Sequence, residues 1–126
     1  MNEVEYRQHP AISRSELWKL RESPEKFKWA MEHPEPPTPA LIFGQVFHKL
    51  ALAPLTFDDE FAIAPNVDRR TKDGKAAWAE FTAAADGKTV ITQDVFDKAS
   101  EMVSALNHTP FVKKLLDGAH ELPLFW

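Results

Sequence analysis

Within this chain of 126 residues, the side chain best suited to chemistry is the histidine of Gly44-Gln45-Val46-Phe47-His48-Lys49-Leu50. At helical spacing Gly44 stands one turn before His48 on the same face, and Ala51 flanks that face on its other side. An imidazole between two small residues leaves room for a metal ion or a substrate backbone to dock. The plainer alternative is a core histidine satisfied by a backbone carbonyl or a carboxylate. One histidine is not a metal site, because metals need several ligands. Glu121 comes second, since a carboxylate within an apolar stretch is costly unless it is paired or metal-bound. Taken by itself, such a residue is more often the solvent-facing member of an alternating strand. Asp58-Asp59-Glu60 gathers three carboxylates without the spacing of a calcium-binding loop and reads as a solvated turn.

The basic run Arg69-Arg70-Thr71-Lys72-Asp73-Gly74-Lys75 sets four cations against Asp68 and Asp73. At a helix N-terminus it would join guanidinium forks and free backbone amides, a combination suited to phosphate. The alternative is an ordinary solvated loop. Gly74-Lys75 is no P-loop, because the preceding glycine spacing is absent. Ser13 and Ser15 are helix-cap residues first and binding residues second. His9, His33, His108 and His120 fall in loops or at helix ends, and no sequence spacing groups them.

The elements that must carry these groups are marked by caps and prolines. Ser13-Arg14-Ser15-Glu16 spells a capping box and predicts a short amphipathic helix over 14–21, with Ile12, Leu17, Trp18 and Leu20 as its apolar residues. Ser23-Pro24 opens a second helix to about Glu32, with Phe27, Ala30 and Met31 as one buried stripe. His33 to Pro37 reads as extended linker, each residue before a proline being pushed out of the α region. Thr38-Pro39 opens the most apolar helix, 39–53, whose apolar residues cover nearly its whole circumference, the pattern of a central helix. A short strand at Glu60–Ala64, a helix from Lys72 to Ala85 with Ala76, Ala77, Trp78 and Phe81 as its inner side and stopped by Asp86-Gly87, and a strand at Thr89–Ile91 follow. Thr92 caps a helix of 93–106, and Thr109-Pro110 starts one more, ending at Gly118 as a left-handed residue. The tail from Glu121 to Trp126 reads as a strand entering a core whose sheet is incomplete, and this apolar end predicts self-association; the plainer alternative is an edge strand that packs its apolar residues on the helices.

Composition narrows the classes. Fifteen Lys plus Arg against 19 Asp plus Glu give a net charge of −4, which argues against a protein coated in nucleic acid but leaves room for a local basic patch. With no cysteine, disulfide scaffolds, zinc ribbons and thiol nucleophiles are excluded, and a reducing, cytoplasmic setting is expected. No apolar run reaches the length of a membrane span, and the first residues are too polar for a secretory leader.

Three runs together resemble a known family: His9 to Leu17, Ser23-Pro24-Glu25-Lys26-Phe27, and Pro39 to Leu50 with its Gly-x-x-x-His. Ala64 to Lys72 and Lys88 to Thr92 follow in the same order. The chain is similar over nearly its whole length to exonucleases of the exodeoxyribonuclease VIII type, within the PD-(D/E)XK superfamily. The resemblance implies an α/β class, here an α-rich fragment: residues 1–126 as the N-terminal helical part of a single nuclease domain, with short strands and an incomplete core sheet. It implies a DNA exonuclease of the recombination or phage type that uses magnesium or manganese on linear duplex ends. His48 matches the metal-ligating histidine, and Glu121 the glutamate of the first core strand. Ser15, with Ser13 and Arg14, matches the turn that meets the DNA-end phosphate. The family's aspartate and Glu-x-Lys find no counterpart in the sequence, so the chain alone is expected to be inactive and to bind metal weakly or not at all. A non-catalytic DNA- or protein-binding module derived from such a nuclease is the alternative.

Overall fold

The computed structural model describes Glu5 and residues 9–120. The chain is helix-rich and divides into two compact units. In the first, α1 (Arg14–Glu22) and α2 (Pro24–Glu32) lie against each other. The capping box forms as its spelling requires: Glu16 N–H donates to Ser13 Oγ at 3.3 Å, and Ser13 N–H donates to the Glu16 carboxylate at 2.6 Å. Ser23 closes α1 and caps α2, accepting from Lys26 N–H at 3.0 Å. The expected buried stripes do not materialise. Neither helix buries a residue, Phe27 and Ala30 are half-buried, and Met31, Trp18 and Trp29 are exposed. Two short helices share too narrow a contact to enclose large side chains. Trp18 instead carries the Arg21 guanidinium at 4.7 Å, and Trp29 stacks on His33 at 4.7 Å.

The second unit, from Thr38 to His120, holds the core. Thr38 caps α3 (Pro39–Leu52), and a 3-10 turn at Pro54–Thr56 leads into α4 (Phe57–Glu60) and β1 (Phe61–Ile63). Then come α5 (Lys72–Ala84), β2 (Thr89–Ile91), α6 (Gln93–Asn107) and α7 (Pro110–Leu115). β1 and β2 pair in parallel, Phe61 opposite Thr89 and Ile63 opposite Ile91, with α5 in the connection that a parallel pair requires. The buried cluster is Val46 of α3, Phe57, Phe61, Ile91 and Ala99 of α6, ringed by Ile42, Phe47, Leu50, Val95 and Phe96. Phe57 stacks on Phe61 at 5.2 Å and meets Phe96 at 5.4 Å.

Four local expectations change. α3 is one-sided, with Val46 its one buried residue and Leu41 exposed, because apolar content does not dictate how many partners a helix meets. The inner side expected for α5 is only half-buried at Ala77, Trp78 and Phe81 and is exposed at Ala76. Asp58-Asp59-Glu60 is a helical turn, and Glu60 is no solvated carboxylate: Lys49 Nζ pairs with it at 2.6 Å. α7 ends at Leu115, and Gly118 lies beyond its cap at φ +150°, outside the left-handed helical region. Gly87, at φ +75°, does turn the chain after α5. The tail strand expected at Glu121–Trp126 lies outside the described residues.

Candidate functional site

α3 presents His48 and Gly44 on an exposed part of its surface. The neighbouring Lys49 is half-buried and pairs with Glu60 at 2.6 Å. A Cβ built on Gly44 would meet no described residue within 4 Å, so the glycine leaves open space one turn from the imidazole. The alternative of a core histidine is not what the fold builds, since His48 is exposed. His48 can offer one nitrogen donor, and among the described residues no three His, Asp or Glu side chains gather as a metal group. Magnesium and manganese favour oxygen donors, so an imidazole alone is a poor site for either. Glu121 lies outside the described residues.

Ser13, Arg14 and Ser15 stand at the N-terminus of α1, in the first unit, whereas His48 and the basic run belong to the second. The Ser13 and Ser15 hydroxyls lie 3.0 Å apart. Ser13 is committed to the cap, as is Glu16, whose carboxyl these bonds from Ser13, backbone first, and then Lys19 hold below the usual carboxylate range.

The basic run forms a hydrogen-bonded turn that leads into α5. The Asp68 carbonyl accepts from Thr71 N–H at 3.2 Å and from Thr71 Oγ1 at 2.9 Å, and the Asp68 carboxylate accepts from Arg70 N–H at 2.9 Å. Thr71 Oγ1 in turn accepts from Gly74 N–H at 3.0 Å and caps α5. Gly74 is buried under this turn, where a Cβ would fall 1.8 Å from the Asp68 carbonyl oxygen. Arg69 lies over the Trp78 ring, its guanidinium carbon 4.4 Å from the centroid. Arg69, Arg70, Lys72 and Lys75 are all exposed, and among the described residues none of them has a carboxylate within ion-pair distance.

Sequence reasoning missed Thr71 as a cap and Trp78 as the seat of Arg69. The first had a signal, a threonine three residues before a glycine amide at a helix start. The second had none, since Arg69 is in a loop and Trp78 inside a helix. It also missed a groove of about 360 Å³ between β1 and the end of α5, lined by apolar residues with Asp58 and Lys88 among them. Among the described residues, neither His48 nor the residues of the serine turn and the basic run line it. His9, His33 and His108 serve local backbone bonds: His9 Nδ1 accepts from Ala11 N–H, while the Nδ1 atoms of the other two meet the carbonyls of Trp29 and Ser104.

No curated protein and no solved structure matches the chain. Residues 13–126 match the family described as PDDEXK-like domain of unknown function (DUF3799). That span takes in the capping box, the helix of His48 and the basic turn, and it supports a nuclease-related α/β fold of the PD-(D/E)XK superfamily, whose nuclease domains generally use divalent metals. On this match the chain belongs to the PDDEXK-like domain family.

Proposed function

We propose that the chain carries part of the machinery of a metal-dependent DNA exonuclease of the recombination or phage type. The observation that carries this reading is the family match across residues 13–126. A divalent metal, when bound, would polarise a phosphodiester and activate water for its hydrolysis. His48 would supply one of its ligands from the open face of α3, and Glu121 a carboxylate. Ser15, with Ser13 and Arg14, would meet the phosphate at a duplex end through the first turn of α1, where backbone amides and the helix dipole favour an anion. Arg69, Arg70, Lys72 and Lys75 would meet phosphates of the DNA backbone. By itself this set of residues binds linear duplex and does not cut it, because it supplies no Glu-x-Lys to place a lysine beside the attacking water.

Incubating the chain with end-labelled linear duplex, with magnesium or with manganese, tests both halves. Binding without loss of substrate is expected, and manganese should broaden the His48 ring resonances more than those of His33 or His108. Metal-dependent degradation that survives further purification and vanishes in His48→Ala would overturn the non-cutting assignment. Uniform broadening of all histidines would remove His48 from the ligand set.

A further inference from the structure

The stack of Arg69 on Trp78 has a use within the basic turn. We propose that Trp78 is a positioning residue, holding the Arg69 guanidinium ready for a phosphate of the DNA backbone. This rests on the reading above that the segment 69–75 meets DNA. A guanidinium lying over an aromatic face keeps its N–H donors at its own edge, so the stack uses none of the hydrogen bonds that a phosphate needs. The indole is itself seated: Trp78 is half-buried and meets Phe81 at 5.5 Å and 46°. The backbone beneath Arg69 is fixed by the Asp68–Thr71 bonds and by the close approach of Gly74. The Asp68 carboxylate, which could otherwise fold onto Arg69, accepts from Arg70 N–H. An arginine held at both ends loses less freedom on meeting a phosphate than a free one, which is how preorganisation raises affinity.

The test is binding of labelled linear duplex to the full chain, by anisotropy across a salt series. It compares Arg69→Gln, Trp78→Leu, Trp78→Phe, the Arg69→Gln/Trp78→Leu double variant, and a quadruple change of Arg69, Arg70, Lys72 and Lys75 to Gln. Arg69→Gln should lower the slope of log affinity against log salt by roughly 0.9, the share of one duplex phosphate. Trp78→Leu should weaken binding roughly two- to fivefold, as loss of an exposed cation–π contact implies, and remove part of the same slope. Trp78→Phe should restore both, and Trp78→Leu should add nothing once Arg69 is Gln. Thermal unfolding followed by circular dichroism confirms that each variant is folded.

Wild-type affinity in Trp78→Leu, or an equal loss in the presence and absence of Arg69, overturns the positioning role while leaving the basic segment as a DNA contact. Wild-type affinity in the quadruple variant, or no duplex binding by the wild type, overturns the reading of the segment itself. Displacement of DNA by inorganic phosphate at constant ionic strength, at a concentration equal to that of the strand phosphates, would assign the site to the free ion and overturn the proposal.

Discussion

The two helical glycines of the second unit should respond to alanine with opposite signs. Helix propensity alone favours alanine by roughly 1 kcal/mol at an interior position. At Gly44 nothing opposes that gain, since an added Cβ meets no described atom within 4 Å. Gly44→Ala is therefore expected to stabilise the fold by up to about 1 kcal/mol. At Gly74 the Cβ would lie 1.8 Å from the Asp68 carbonyl oxygen and 2.6 Å from its carbon, against the 3.4 Å at which ordinary contact begins. Both are backbone atoms and cannot rotate away. Relief requires the 68–71 turn to move off α5, which breaks the Thr71 cap, worth about 1 kcal/mol, and strains a packed segment at about 1–3 kcal/mol. Subtracting the propensity gain leaves Gly74→Ala destabilised by about 1–3 kcal/mol. Urea unfolding followed by circular dichroism measures both variants. A Gly74→Ala protein as stable as the wild type would refute the packing of the turn on α5. A destabilised Gly44→Ala would show that something covers that face. If the open face serves docking, Gly44→Ala should also bind duplex more weakly while it unfolds later.

Val46 is fully buried between α3 and the rest of the cluster, so Val46→Ala should cost about 2 kcal/mol, read as an earlier urea midpoint with an unchanged slope. Ser13→Ala should remove about 1 kcal/mol from α1 and leave the second unit unchanged by hydrogen exchange. The Glu16 carboxyl has a lower pKa folded than unfolded, so its contribution to α1 is complete above the ordinary glutamate value and is lost as pH falls through the lower folded value. Glu16→Gln should flatten that acid-side loss of helicity, and an unchanged titration would remove the capping box as its cause.

What could be read from residues alone follows the range of the interactions. Ser13, Ser23, Thr38 and Thr92 announce their helices because a cap bonds an amide only three residues on, and all four form. Both strands are legible from β-branched and alternating residues, but not their parallel pairing, which depends on where α5 returns the chain. The apolar wealth of α3 misleads, since it reports what could be buried and not what arrives to bury it. Glu60 looked solvated because its partner Lys49 lies eleven residues away on another helix. His48 and the basic run were visible as chemistry, whereas the indole under Arg69 becomes visible only when the loop is folded against the helix. The roles of the family's site residues came from resemblance, whereas helical spacing alone set His48 one turn from Gly44 and left a core histidine as the alternative.

The three-residue parallel ladder of β1 and β2 also dictates an order of assembly. No tight turn can close such a pair. Its partners, such as Phe61 and Thr89, meet only after the whole connection carrying α5 has doubled back, and that closure entropy is spent before the ladder returns anything. A ladder this short cannot repay the closure alone, so α5 and the aromatic cluster around Phe57 must be in place first. A slip of one residue would turn Phe61 and Ile91 out of the cluster, and it would drag the Thr92 cap of α6 along the strand axis. Register and the Thr92 cap therefore lock together in one late event. The Ala64 amide, bonded to the Ile91 carbonyl at 2.7 Å, should gain its protection from exchange at the end of folding, after the helices on either side.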